Sequence, residues 1–214
     1  MRDISRADAA YLSVKENLMR AKKFFAFIAA SCAAGIATPV SAEPVSYVID
    51  AAHTHTQFTI MRFGFNAVIG DFRDVKGEIV LDEDNPENSS VSVEIAVSSV
   101  SSGDATRDEH LQGEFWFNAA EYPTITFHST SVEQTDENTA VVTGDLTILG
   151  VTKPAALNVI LNKLGQDPAT KGPAAGFSAT TALKRSEFGI QTAMGLIGDD
   201  VSIQIEALGH AAKE

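Results

Sequence analysis

Two groups of residues have the types and spacing for chemistry. His53-Thr54-His55 sets two imidazoles two positions apart, which on a strand sends both to one face, where they can ligate Zn²⁺. A zinc centre needs a third ligand, and a catalytic one also needs a placed base. His110, His128 and His210 are scattered without ligand spacing, so a strand-end His hydrogen-bonded to a neighbouring loop is the simpler role. The second group, Arg107-Asp108-Glu109-His110-Leu111, gathers charge beside one apolar residue but has no nucleophile near it. It reads as a short exposed helix in which Asp108 and Glu109 flank the N-terminal dipole and Arg107 pairs locally. Gly150-Val151-Thr152-Lys153 runs into Pro154, which cannot continue as the helix of a phosphate loop. No catalytic residue, metal ligand or cofactor is assigned. The alternative is a metal-dependent enzyme, or a stress or interaction protein, using the His53/His55 strand end.

The composition narrows the classes further. The 214 residues hold 16 Lys+Arg against 28 Asp+Glu, a formal net charge of −12, and no basic stripe offsets it. Nucleic acid is therefore a poor partner, because binding to it rests on neutralising phosphates. One Cys supports neither an intrachain disulfide nor a Cys-rich zinc site.

The N-terminal segment reads as a leader. Met19-Arg20-Ala21-Lys22-Lys23 is a basic stretch, Phe24 to Ala37 is apolar, and Val40-Ser41-Ala42 is a small-residue cleavage signature. The apolar run falls short of the ~20 residues that span a bilayer, so stable membrane insertion is not expected. Residues 1–18 lengthen the segment beyond an ordinary signal, pointing to Met19 as the true start. Cleavage after Ala42 leaves residues 43–214 as the working domain, with 10 basic and 25 acidic side chains and no thiol. A cysteine-free acidic domain suits an oxidising, periplasmic compartment.

The elements that must position any site are strands. Thr54–Phe63, Val68–Leu81, Thr124–Val132, Ala140–Leu149, Ala155–Leu164, Phe177–Leu183 and Val201–Leu208 are extended stretches broken by Gly, Asn, Asp and Pro. Val91, Val93, Ile95 and Val97 alternate with small or polar residues, placing four branched side chains on one face. Asp104 to Gln112 is the one helical segment, with Asp104 as its N-cap, and a helical turn surrounds Ser186–Phe188. Gly165–Gly176 reads as a surface loop. The fold class is all-β: an antiparallel barrel or sandwich with one short helix. Twelve Phe, nine of them beyond the leader, either fill its interior or line a space for one ligand.

Several motifs resemble the YceI-like family of lipid-binding proteins. They are Val48-Ile49-Asp50 with His53 and Phe58-Thr59-Ile60; Arg107-Asp108-Glu109-His110-Leu111 with Phe115 and Phe117; Tyr122-Pro123-Thr124-Ile125-Thr126-Phe127-His128; Gly144 through Pro154; and Arg185-Ser186-Glu187-Phe188-Gly189-Ile190. The resemblance spans about residues 46–208. It implies an extended, lipocalin-like antiparallel barrel of about eight strands, whose apolar tunnel holds a polyisoprenoid, a prenyl quinone or a comparable amphiphilic lipid. The implied lining is Phe58, Ile60, Phe63, Phe65, Phe72, Phe115, Phe117 and Phe127, with Phe177 and Met194. Arg62, His53 and Arg185 are the head-group candidates. Arg62 stands where family members often carry His, so a fixed cation replaces a titratable ring and favours an anionic or carbonyl head group if it faces the tunnel. Pairing of two barrels into a homodimer stays open.

Overall fold

The computed structural model describes residues 43–212, and the expected leader, its cleavage after Ala42 and the start at Met19 lie outside them. Eleven strands and one helix follow one another: β1 (Val45–Ile49), β2 (His55–Arg62), β3 (Asn66–Phe72), β4 (Val75–Leu81), β5 (Ser90–Ala96), β6 (Val100–Ser101), α1 (Ala105–Gln112), β7 (Thr124–Asp136), β8 (Thr139–Ile148), β9 (Val151–Gln166), β10 (Pro173–Lys184) and β11 (Ile197–Ala211). Every strand pairing is antiparallel.

Three pairs of short strands are single strand lines interrupted by a turn. A 3₁₀ turn at Ala51–His53 divides β1 from β2, Arg73-Asp74 divides β3 from β4, and a 3₁₀ turn at Val97–Ser99 divides β5 from β6. The first break is written into the sequence by Asp50, whose carboxylate accepts from the Ala52 amide at 2.9 Å and caps the turn. Joined in this way, the strands make an eight-line meander. It closes on itself because β11 pairs with β2 along its first part (Ile203 opposite Phe58) and with β1 along its last (His210 opposite Val48). Closure removes both sheet edges.

Alternation within each strand then separates two environments. On β11 Val201, Ile203, Ile205 and Ala207 face inward, while Ser202, Gln204 and Glu206 face out. Val91, Val93 and Ile95 face inward as the alternation requires; Val97 leaves the strand in the 3₁₀ turn and is buried at 1% exposure in the packed core. The sixteen residues of β9 extend ~50 Å at the usual rise, which makes the barrel long for its girth. The expected loop at 165–176 shrinks to Asp167–Gly172, since β9 runs to Gln166 and β10 starts at Pro173. The helix begins after Asp104, whose Oδ1 accepts from the Arg107 amide at 2.8 Å, and it buries Leu111.

Candidate functional site

The barrel encloses an apolar cavity of ≈ 440 Å³, within the range of small-ligand pockets. Its wall is mostly aliphatic: Ile79 and Leu81 of β4, Val142, Leu146 and Ile148 of β8, and Leu157, Val159, Leu161 and Leu164 of β9, beside the inward residues of β5 and β11. Aromatic rings fit against this wall where the opposite strand carries Gly. Phe58 lies across from Gly70, and a Cβ there would stand 2.4 Å from the Phe58 ring. Phe127, paired with Leu146, reaches diagonally over Gly144, where a Cβ would stand 2.5 Å from its ring. Phe58, Phe72 and Phe117 continue as a chain of ring contacts, tilted by 47° at 5.8 Å and then edge to face at 5.5 Å.

One end is plugged. Phe72, Val75, Val97, Leu111, Ile125, Ile148, Phe188 and Ile190 form the packed core there, with Trp116 and Phe117 against it. Arg185 holds the plug. Buried at 3% exposure, its Nε donates to Gly198 O (2.8 Å), Nη1 to Ile190 O (2.9 Å) and Thr192 O (2.8 Å), and Nη2 to Ile197 O (3.0 Å). Its guanidinium also sits 5.4 Å from the Trp116 ring centroid. Burial pushes its pKa down, and the nearby Asp199 carboxylate opposes that. Asp199 is itself held below the ordinary carboxylate range, chiefly by the Ser186 amide and also by the Ser186 hydroxyl, each at 2.9 Å. On the helix side, Asp108 accepts from the Ser102 amide (2.7 Å), and Arg107 donates to the Ser102 carbonyl (2.7 Å).

The other end is the mouth, where the wall turns polar through the β4–β5 turn (Asp82, Glu83, Ser89, Ser90) and the β7–β8 turn (Gln134, Glu137, Asn138, Thr139). Asp82 is buried. It accepts from the Asn85 amide (2.8 Å), the Asn88 side-chain amide (3.2 Å) and the Asp84 amide (3.1 Å), all neutral donors, so its pKa is lowered and it remains a fixed negative charge. Glu83 and Glu137 are exposed beside it. Among the described residues the wall's one cation, Arg185, lies at the far end.

Of the expected lining residues, the wall includes Phe58, Ile60, Phe72, Phe117, Phe127 and Phe177, together with Arg185. Five expectations are corrected. Phe63 and Phe65 belong to the tight β2–β3 turn, where Phe63 takes φ +54° and strand alternation ends; both are exposed, and so are Arg62, Phe115 and Met194. Arg62 stacks on its neighbour Phe63 at 4.1 Å and lies outside the wall, so it sets no charge within the cavity. Arg185 is on the wall, but the four carbonyls engage it as a clasp. Trp116, Phe188 and most of the aliphatic wall lie outside the expected set, although the period-two spacing of Leu157, Val159 and Leu161 and of Val201, Ile203 and Ile205 carries that signal.

The two-His reading also changes. His53 sits in the 3₁₀ turn and bonds Asp50 at 2.8 Å, whereas His55 opens β2 on the outer face, so two-residue spacing gives no shared face. His210 approaches the same Asp50 oxygen at 3.2 Å, and Asp50 is held low chiefly by the His53 bond. Among the described residues no group of three or more His, Cys, Asp or Glu is placed to hold a metal ion. No helix among them is long and apolar enough to cross a membrane.

A closed eight-line antiparallel barrel around an apolar, single-mouthed cavity defines a container of the lipocalin-like kind. The model of the YceI-like domain matches residues 47–208, and the chain belongs to that family. It is 39% identical to the Escherichia coli protein YceI over 175 residues, covering 81% of this chain and 91% of the relative. The crystal structure of a Campylobacter jejuni YCEI protein superposes with a TM-score of 0.64 at 32% identity, covering 70% of this chain and 88% of that one. A polyisoprenoid binding domain from Saccharophagus degradans shares the fold, with a TM-score of 0.60 at 16% identity over 78% of this chain and 99% of that domain.

Proposed function

We propose that this protein is a non-catalytic binding protein of an exported, periplasmic compartment, which holds a polyisoprenoid or prenyl-quinone type amphiphile with its tail along the barrel. The observation that carries the reading is the ≈ 440 Å³ apolar cavity, closed by packed side chains at one end and open at the other. Each CH₂ moved from water to such a wall contributes about 0.8 kcal/mol, so a long branched tail is held without chemistry. The Saccharophagus domain, which has this fold, is described as polyisoprenoid binding.

The mouth points to the head group. Asp82, Glu83 and Glu137 surround it with no wall cation nearby, so an uncharged quinone or hydroxyl head is favoured over a phosphate. Protein purified from its own compartment is expected to release an isoprenoid-type lipid on organic extraction, identified by mass spectrometry. Ala179→Phe, which projects a ring into the cavity from β10, is expected to abolish that ligand while the barrel stays folded. Well-folded protein that is ligand-free and gains no thermal stability from added prenyl quinone at saturating concentration refutes the reading.

A further inference from the structure

The outer surface of the plugged end has a feature that cavity binding does not use. Phe65, Phe115 and Leu196 are 89%, 76% and 60% exposed, and Met61, Phe63 and Met194 stand exposed around them. Met61 stands near the end of β2, and the other five come from three turns tied edge to edge: the Phe63 amide donates to Leu196 O at 2.7 Å, and the Thr192 hydroxyl donates to Phe115 O. The six side chains therefore make one apolar tip, a feature soluble proteins seldom leave uncovered without a partner.

We propose that this tip docks on the surface of a lipid bilayer, with Phe65, Phe115 and Leu196 reaching the boundary between head groups and acyl chains. Charge favours that occupant over a second copy. Residues 61–66, 113–118 and 191–197 hold one cation, Arg62, and one carboxylate, Glu114, whereas residues 43–214 together carry 25 acidic and 10 basic side chains. Two such domains repel each other, while the tip is locally neutral and offers an exposed guanidinium at the level of lipid phosphates. Shape agrees. The rings stand out from turn tips and do not line a groove, which suits insertion into a fluid layer.

The chain path also leaves the tip clear. β1 begins and β11 ends beside the mouth, with Tyr47 opposite Ala211, so neither end of the described segment lies at the plugged end. The turns that bear the exposed residues also build the cavity floor: Phe115 points out, while its neighbours Trp116 and Phe117 line the cavity. Docking therefore sets the outer skin of the plug against the phase in which apolar amphiphiles dissolve. The inference does not depend on which lipid fills the cavity, or on whether one does.

The chain's single Trp supplies the test. In the protein carrying its own N-terminus, the sole indole is moved to the tip by Phe65→Trp on a Trp116→Phe background, and vesicles of zwitterionic phosphatidylcholine, which do not repel the acidic domain, are added. The expected result is a blue shift of emission and quenching by brominated phosphatidylcholine. The triple variant Phe65→Ser, Phe115→Ser, Leu196→Ser is expected to lower the vesicle-bound fraction about tenfold. Its thermal unfolding and extractable ligand are expected to match those of the parent, which separates failure of docking from failure of the cavity reading. Three results overturn the proposal: an indole that stays water-exposed on vesicles, including binding through residues 1–42 alone; a triple variant that binds as well as the parent; or a tip that instead pairs two copies, seen as self-association abolished by the triple variant without vesicle binding.

Discussion

The two ends of the barrel solve opposite problems with similar material. Both are made of turns between strands, and both bury an ionised side chain held by backbone groups: Arg185 by four carbonyls at the plugged end, and Asp82 by two amide N–H groups and a side-chain amide at the mouth. At the plugged end the charge ties a long connection down onto an apolar core, and its removal strands carbonyls in a dry environment. At the mouth the charge shapes a short turn, beside which Glu83 and Glu137 stand exposed. A buried charge thus pins a long connection at one end and a short turn at the other.

The largest expected effect breaks the plugged end. Arg185→Met keeps the apolar stem but removes every donor to Ile190, Thr192, Ile197 and Gly198, and is expected to destabilise the domain by about 3–5 kcal/mol in denaturant unfolding. An unchanged midpoint would reduce the clasp to a passive contact. Gly70→Val acts nearer the middle of the barrel by driving a side chain into the Phe58 ring, which is expected to cost about 1–3 kcal/mol and to lower ligand content at the same time. Stability loss without ligand loss would place Phe58 in packing alone.

The mouth should answer differently. Glu83→Lys with Glu137→Lys is expected to change stability by no more than about 0.5 kcal/mol, since both side chains are exposed. The same double variant is expected to gain binding of prenyl phosphates relative to prenyl alcohols in competition assays. An unaltered preference would mean that the head group does not sit at this lip. The smallest effect is set by acid. Asp82 and Asp199 both have folded pKa values below the unfolded Asp value of about 3.9. The stability they contribute is therefore complete above that pH and is lost as pH falls through the lower folded values. Thermal melts are expected to be flat with respect to these two groups from neutral pH to about pH 5, and to drop below about pH 4. Asp82→Asn is expected to flatten the mouth's share of that drop.

Local pattern makes the strands legible, while closure sets the site. Period-two alternation at Val91, Val93 and Ile95 and the N-cap at Asp104 are signals carried by neighbouring residues, and both appear where the residue types require. Phe58, Phe72, Phe117, Phe127 and Phe177 reach the wall from the strand or motif positions that mark them in the sequence. Phe63, Phe65 and Phe115 have the same side chain, yet they lie outside the wall because turns replace strand alternation there. Arg185 is legible as a notable residue but not as a clasp, since its four acceptors lie 5–13 positions away in a connection whose path only the packed end defines. The His53/His55 pairing fails for a local reason that neighbouring residues carry: Asp50 is a cap, and a capped turn resets the register of the strand after it.

Closure between the first and last strands has a consequence in time. Tyr47, Val48 and Ile49 find their partners at Ala211, His210 and Gly209, so the ring is completed by residues more than a hundred and fifty positions apart. Until β11 is available, the chain is an open, curved sheet whose apolar face has no far side. Such long-range pairing slows folding, because the entropy of loop closure must be met before the last contacts form. A ligand present during that interval meets an exposed trough; one arriving afterwards must enter through the carboxylate-rimmed mouth. On the proposed binding role, the order in which chain completion and ligand encounter occur decides whether loading is part of folding or a separate, slower exchange.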